Sequence, residues 1–447
     1  MSFLIILSFI IFCSLLINKQ IKDYISSFFA YVFLYFWGLG MLYSTFEPFG
    51  FFEVSMKTYL IVILGVGSFL LGFMLLRVRC KTSINPFYNL ERLSNAIVDS
   101  RMTAIILSLI CLYELRFVEN ALLLATIDNE STSINKFEGV FMGDRLGCWI
   151  WMYLMAPIFH SLNVLISVAL VKRQRISLIN IACIIAFYCM FGILSGGRIL
   201  FANILYSIVM VYVILNPSFS IKRLNIKTIT IFLGIGLLVF TGMLYMSAFR
   251  GHGDFTISER DFDESVNDLV EKPGRYITLP YVLLDISFKE DYLNKFGGFQ
   301  MGKTSLAGGD ILICGVLNRY GIKIESTENI TNYLQNEWKP CAPDHSYNYA
   351  YTGILSHYLD FGIFGVILFP AIFGFLVRVF INQLYRYNSI WSLLILNLSF
   401  YLMIQAAFSN FLQNPPIFLY LSFLLLMEIL SNLRYSKFFK YKSNISQ

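Results

Sequence analysis

The chain has 447 residues, of which 57% are hydrophobic and only 14% are charged, whereas an average soluble domain has about 25% charged residues. A soluble domain could not cover so much apolar surface, so the composition excludes an ordinary soluble enzyme and indicates a membrane protein. The net charge of +6 is small and fits basic residues held on the cytoplasmic side of a membrane. We therefore expect no nucleic-acid partner.

Apolar runs long enough to cross a membrane, which takes about 20 residues, begin at the N-terminus. The first run has no preceding basic residues and no small-residue cleavage site, so we expect a retained span and not a signal peptide. Backbone polar groups in lipid must bond within their own segment, so each span is predicted to be a helix. The eleven predicted spans are 2–17, 24–46, 58–76, 102–120, 149–171, 177–194, 199–215, 228–248, 361–380, 391–410 and 417–433.

Basic residues alternate between the loops of this arrangement. Of the 34 lysines and arginines, 19 lie in loops and tails on one face, and the short loops on the other face hold five. The positive-inside rule then places the N-terminus outside and the C-terminus in the cytoplasm. The predicted organisation is spans one to eight in 1–248, a large loop in 249–358, the last three spans in 359–433 and a basic cytoplasmic tail in 434–447.

The large loop lies on the extracytoplasmic side in this arrangement. It holds mixed charges, three of the four histidines and several apolar stretches, whereas a disordered linker would have few apolar stretches. We expect a folded, helical cap on the membrane domain. The chain has no nucleotide-binding loop, and its eight cysteines show no metal-ligand spacing, so no cofactor and no metal are predicted.

Two arginines next to glycine stand at the outer ends of predicted spans. Gly196 and Gly197 precede Arg198 after the sixth span, and Arg250 is followed by glycine and by His252 after the eighth. Glycine lets the backbone approach a ligand, and the planar guanidinium suits phosphate oxygens. The alternatives are a tight turn with a snorkelling arginine at the first position and an interfacial anchor at the second.

The end of the large loop carries further titratable groups. If a helix runs from about Tyr351, His357 and Asp360 lie three residues apart on one face. An imidazole or carboxylate here could accept a proton from a substrate hydroxyl, and His345 and His252 are further candidates for this role. The alternative is that Asp360 caps the helix and His357 lies at the interface.

The passage NYAYTGILSHYLDFGIFGVILFPAIFG, residues 348–374, contains the core Tyr358-x-Asp360-Phe361-Gly362-x-x-Gly365. Together with the large late loop and the Ser-Gly-Gly-Arg turn that ends at Arg198, this passage resembles the bacterial Wzy-type O-antigen polymerases. The architectural resemblance covers nearly the whole chain, but its motifs are short.

The resemblance implies a multi-span fold with a periplasmic helical cap, similar to lipid-linked (GT-C-like) glycosyltransferases and O-antigen ligases. It implies a metal-independent enzyme of the bacterial inner membrane that needs no cofactor. Such enzymes move a growing glycan from undecaprenyl pyrophosphate onto the non-reducing end of a new lipid-linked repeat unit. Membrane lipids, a chain-length regulator and a flippase of the same pathway are further partners that it implies.

The resemblance also assigns roles to residues. Arg198 and Arg250, with Gly196 and Gly197, would hold the pyrophosphate, whereas many relatives carry a glutamate near the position of His357. That departure leaves the general base open among the histidines and Asp360. Weaker candidates for contact with the glycan, each of which also suits a solvated or interfacial role, are Arg275, Arg319, Asp344 and Tyr347.

Three other functions fit the sequence less well. An O-antigen ligase would share the fold and the chemistry, and only the Asp-Phe-Gly passage favours a polymerase. A flippase or transporter would usually show internal repeats, polar residues in mid-span and short outer loops. A non-catalytic chain-length regulator would rarely need so many spans.

Overall fold

The computed structural model describes residues 1–77, 88–126, 140–195, 199–216, 259–343, 345–347 and 351–445. These residues are almost entirely helical, with one short antiparallel hairpin. The elements in chain order are α1 (Ser2–Gln20), α2 (Tyr24–Ser44), α3 (Met56–Met74), α4 (Tyr88–Val98), α5 (Arg101–Glu114), α6 (Val118–Thr126), α7 (Arg145–Ile150), α8 (Ala156–Val171), α9 (Leu178–Ser195), α10 (Ile199–Leu215), α11 (Glu259–Lys289), α12 (Tyr292–Lys295), α13 (Ala307–Arg319), α14 (Glu328–Asn336), β1 (Lys339–Ala342), β2 (His345–Tyr347), α15 (Gly353–Tyr387), α16 (Ile390–Gln405) and α17 (Pro415–Ile445).

Six helical segments of the described residues are long and apolar enough to cross a membrane: α1, α2, α3, α7 with α8, α15, and α17 as far as Leu433. A seventh results if α4 and the bent continuation through α5 and α6 form one span, and three shorter apolar helices lie within α9, α10 and α16. The expectation of an all-α, multi-pass membrane protein is therefore confirmed. The count of eleven spans stays a prediction, and the predicted span 228–248 lies outside the described residues.

The chain divides into two compact units, and the first consists of residues 1–86 and 273–447. In this unit α3 and α15 run parallel and in close contact. A Cβ atom on Gly72 would lie 2.0 Å from the Ala371 carbonyl oxygen, and one on Gly374 would lie 2.2 Å from that of Phe69. Glycine is therefore required at both positions, because small residues let membrane helices approach to backbone contact.

Polar contacts mark the two ends of this unit. At one end, the Arg378 guanidinium donates to the Asp23 carboxylate at 3.0 Å and to the Leu76 carbonyl at 3.0 Å. At the other end, the Asp285 carboxylate accepts from the Ser55 backbone N–H at 3.1 Å. The count of basic residues placed the loops at these two ends on opposite faces of the membrane. Which end faces the cytoplasm stays a prediction.

The cap at the Asp285 end contains α12 to α14 and the β1–β2 hairpin. Lys339 pairs with the Glu290 carboxylate at 2.7 Å, and its ammonium lies over the rings of Tyr292 and Tyr333. Burial alone would lower the pKa of Lys339, but the Glu290 carboxylate and the Tyr333 hydroxyl outweigh burial and raise it. Lys339 therefore stays charged inside the helical cap. The cap also contains the two-stranded hairpin, which the sequence did not predict.

Asp285 provides a test of how the cap is attached. Its buried carboxylate accepts from the Thr58 hydroxyl at 2.5 Å and pairs with Lys289 at 2.7 Å. Burial opposes ionisation, but these bonds and those from Ser55 outweigh it, so the pKa of Asp285 lies below its usual 3.8. Because hydrogen bonds to charged groups contribute about 1.5–3 kcal/mol, we expect Asp285→Asn to lower the thermal unfolding midpoint in detergent at neutral pH.

The sign of the pH dependence follows from the depressed pKa. A carboxylate whose folded-state pKa is lowered stabilises the protein above its unfolded-state pKa and loses that effect as pH falls through the folded value. The gap between wild type and Asp285→Asn should therefore stay constant down to about the ordinary aspartate value of 3.8 and close only below it. A gap that closes near neutral pH would contradict this account of the Asp285 contacts.

The second unit consists of residues 87–272 and contains α4 to α10 and the first part of α11. Aromatic rings fill its interior: Phe191 stacks on Trp151 with ring centroids 5.5 Å apart and on Phe159 at 4.5 Å. The Asn180 side chain donates to the Val98 carbonyl at 2.7 Å, at the bend between α4 and α5. These contacts tie α9 to α4 and α8.

Candidate functional site

The candidate site lies in the first unit, where α15 is broken near its beginning. Phe361 leaves the helical conformation with φ −144°, and Gly362 has φ +60° and ψ −141°. A side chain at Gly362 would be strained, because this region of φ/ψ space is open only to glycine. A Cβ atom on Gly365 would lie 2.0 Å from the His357 carbonyl oxygen. Both glycines of the Asp-Phe-Gly-x-x-Gly core therefore permit the break.

Asp360, the last residue before the break, is fully buried. One of its carboxylate oxygens accepts from the Thr304 backbone N–H at 3.0 Å, and the other accepts from that of Ser305 at 2.7 Å. The Thr304 hydroxyl donates in turn to the Ser356 carbonyl at 2.6 Å. Because both carboxylate oxygens accept hydrogen bonds from backbone amides, the geometry favours a positioning role for Asp360. Its side chain fixes the turn at residues 304–305 against α15.

A third segment of the chain also holds this turn. Asn410, which follows α16, donates from its side-chain amide to the carbonyls of Thr304 at 2.9 Å and Ser305 at 3.0 Å. Gly308 lies so close to the chain after α16 that a Cβ atom there would be 2.5 Å from the Leu412 carbonyl oxygen. The turn is therefore held both by α15 and by the chain that joins α16 to α17.

This turn orients His357. The Ser305 hydroxyl lies 2.8 Å from His357 Nδ1, and the imidazole stacks on the Phe369 ring with centroids 5.1 Å apart. When Nδ1 carries the proton and the serine oxygen accepts it, Nε2 keeps a free lone pair. The ring is thus held in one orientation, and in that tautomer it can accept a proton through Nε2.

An apolar cavity of about 250 Å³ reaches this pair. Its walls come from α2, α3, α15, α16 and α17, and aromatic side chains such as Phe33 and Phe373 form much of them. Its polar lining residues are Ser305, His357 and Asn410, which share one wall because the serine contacts both of the others. A mostly apolar cavity with a few convergent polar groups is the usual form of a small-molecule site. The apolar lining of this cavity suits a ligand with a hydrocarbon chain.

Two predicted glycan-contact residues also come together. The Arg275 guanidinium lies 3.4 Å from the Tyr347 hydroxyl and 5.4 Å from the centre of the Phe49 ring. Tyr347 packs edge-on against Phe51 with centroids 6.0 Å apart. The cluster is half-buried and combines a cation with aromatic faces, the two kinds of group that contact sugars and phosphates.

Of the remaining predicted site residues, only Arg319 has a side chain within the described part of the structure. Arg319 is exposed at the end of α13. His345 belongs to β2, but its side chain lies outside the described part of the structure. The predicted residues that lie wholly outside it are Gly196, Gly197, Arg198, Arg250, His252 and Asp344.

Sequence reasoning missed Ser305, Thr304 and Asn410. Ser305 and Thr304 lie in an unremarkable polar stretch more than fifty residues before His357, so no local pattern links them to it. Asn410 had a faint signal, because it is an amide at the end of an apolar run. Buried polar groups near membrane spans usually have a functional or structural partner.

Comparisons with family models, with curated proteins and with solved structures found no match for this chain.

Proposed function

We propose that the chain is a polysaccharide polymerase of the bacterial inner membrane. It would transfer a growing glycan from undecaprenyl pyrophosphate onto the non-reducing end of a new lipid-linked repeat unit, with the N-terminus in the periplasm and the C-terminus in the cytoplasm. The observation that carries the proposal is the apolar cavity whose polar wall holds the His357–Ser305 pair. A substrate with a prenyl chain and a reactive hydroxyl needs both features in one protein.

The reaction needs little chemistry from the protein, because the pyrophosphate already activates the donor sugar. The acceptor hydroxyl attacks the anomeric carbon of the growing chain, and its proton passes to His357 as general base. The bond between that carbon and the pyrophosphate oxygen breaks, and the negative charge stays on undecaprenyl pyrophosphate. Arg198 and Arg250 would stabilise that charge. Ser305 and Asp360 would act through the imidazole, the first by orienting it and the second by fixing the turn.

The Arg275–Tyr347 cluster supports the same proposal from the cap side. Since it lies in the first unit together with His357, both groups belong to one compact body. A cation with flanking aromatic rings suits the extended glycan that a polymerase must hold outside the membrane. The ligase alternative would use the same groups for a lipid A-core acceptor.

Deleting the gene in its host and resolving lipopolysaccharide on a gel tests the function. Loss of the ladder with retention of core plus one repeat unit is the expected result. Loss of even the single unit would point to a ligase or a flippase and would overturn the polymerase proposal. An unchanged ladder would remove the chain from this pathway.

Complementation of the deletion strain tests the pyrophosphate residues. Arg198→Ala and Arg250→Ala should each fail to restore the ladder at wild-type protein levels. Lys323→Ala is the matched control, because Lys323 is an exposed basic residue of the cap and should restore it. Full ladders from both arginine variants would contradict the pyrophosphate assignment and leave the polymerase proposal standing.

A further inference from the structure

One face of helix α13 contacts the chain that follows it in the cap. Asp310 accepts from the backbone N–H of Thr327 at 2.7 Å and from its hydroxyl at 2.9 Å. Next to the last residue of the helix, Asn318 donates to the Ile324 carbonyl at 3.2 Å and accepts from its N–H at 2.9 Å. The chain that follows α13 therefore folds back over this polar face and satisfies it.

The other face of α13 is apolar and uncovered. Ile313 is 61% exposed and Val316 is 54% exposed, and Tyr320, directly after the helix, is 82% exposed. Their spacing of three and four residues places them in one row, which we call the α13 stripe. Large apolar side chains exposed together mark a surface that contacts a partner or a membrane.

The beginning of α13 shows what lies beside the stripe. Gly309 falls on the same helical face, four residues before Ile313, and a Cβ atom on it would lie 2.6 Å from the Phe418 ring. Phe418 lies in the first turn of α17, whose segment Pro415–Leu433 is a candidate membrane span. One face of α13 therefore packs against this membrane helix at Gly309, and the same face continues beyond that contact as the exposed α13 stripe.

Between Leu419 and Leu433, the outward side of α17 carries a row of apolar side chains. It exposes residues spaced three and four apart, as expected for a lipid-facing helix, namely Leu419, Phe423, Leu426, Leu430 and Leu433. The α13 stripe adjoins α17 at Phe418, where this candidate span begins, and the beginning of a span lies at the edge of the hydrocarbon.

We infer that the α13 stripe lies in the interfacial layer of the lipid bilayer, with Ile313 and Val316 towards the acyl chains and the Tyr320 hydroxyl at headgroup level. Apolar helix faces bind there in proportion to the area they bury, and tyrosine is enriched in this layer. Because α13 begins two residues after Ser305, lipid contact would also brace the turn that orients His357.

Photo-crosslinking in lipid nanodiscs tests this placement. Val316 is replaced by p-benzoylphenylalanine, and the purified full-length protein is irradiated in discs of phosphatidylethanolamine and phosphatidylglycerol. The matched control carries the same residue at Gly315, which faces away from the stripe and has no atom within 4 Å of an added Cβ. Lipid adducts, counted by mass spectrometry, should be several-fold more frequent at position 316.

Each other outcome overturns the inference. Lipid adducts that are no more frequent at position 316 than at position 315 would contradict the placement of the stripe in the interfacial layer. A covalent dimer at position 316 would instead make the stripe an interface between copies of the chain. Both positions are exposed, so the variants should unfold at the wild-type temperature, and that measurement confirms that the compared proteins are folded.

Discussion

His357→Asn is expected to abolish polymer formation while leaving the protein folded. The imidazole is the titratable group on the polar wall of the cavity, and asparagine keeps much of its volume but cannot accept a proton near neutral pH. General-base catalysis typically contributes about 10²- to 10⁴-fold, so the initial rate of chain extension with a purified lipid-linked repeat unit should fall by that order. The thermal unfolding midpoint should stay near that of the wild type.

Ser305 separates an orienting role from a structural one. Ser305→Ala should slow the reaction by about tenfold, since loss of one hydrogen bond contributes about 0.5–1.5 kcal/mol and 1.36 kcal/mol corresponds to a factor of ten. Ser305→Thr restores the hydroxyl next to Nδ1, and the adjoining cavity has room for its methyl group. Rescue by threonine would support orientation of His357, and an equal loss in both variants would contradict it.

Asp360 provides the contrasting case. Asp360→Asn places an amide N–H₂ against one of the backbone N–H groups of Thr304 and Ser305, so it should lower the unfolding temperature as well as the rate.

Activity at the wild-type rate in His357→Asn would overturn the assignment of the base, even if the gene-deletion experiment still identified a polymerase.

The membrane architecture was readable from the sequence because it depends on local composition. Long apolar runs predicted α1, α2, α3 and the first part of α17, as far as Leu433, since a bilayer requires about 20 apolar residues wherever a helix crosses it. The predicted start of a span at residue 361 coincides with the break at Phe361 and Gly362. The helix itself begins earlier, at Gly353, because polar residues before the break are satisfied by contacts with the turn at residues 304–305.

The candidate site was only half readable. His357 and Asp360 were visible because an imidazole and a carboxylate three residues apart stand out at the start of an apolar run. Their separate roles could not be predicted, since these depend on which of the two accepts hydrogen bonds from the backbone amides of residues 304 and 305. The hairpin of β1 and β2 was missed for a different reason: a four-residue strand paired with a three-residue strand has too little sequence for a period-two pattern.

Breaking the ion pair between Asp23 and Arg378 is expected to give the largest loss of stability in the first unit. Both side chains are almost completely buried, at 6% and 4% exposure, and their charged atoms lie 3.0 Å apart. Arg378→Met keeps an unbranched apolar stem but leaves the Asp23 carboxylate buried without its cation. Removing one member of a buried pair typically destabilises by about 3–5 kcal/mol, so the unfolding midpoint in detergent should fall steeply.

The double variant distinguishes the charge from the packing. Asp23→Asn keeps the cap of α2, because asparagine can accept from the Ser26 backbone N–H as Asp23 does at 2.9 Å. When it is combined with Arg378→Met, no uncompensated charge remains, and most of the lost stability should return. If the double variant is instead as unstable as Arg378→Met alone, the loss comes from the other guanidinium contacts, such as the bond to the Leu76 carbonyl. That end of the unit would then be held by hydrogen bonds to the backbone more than by the ion pair.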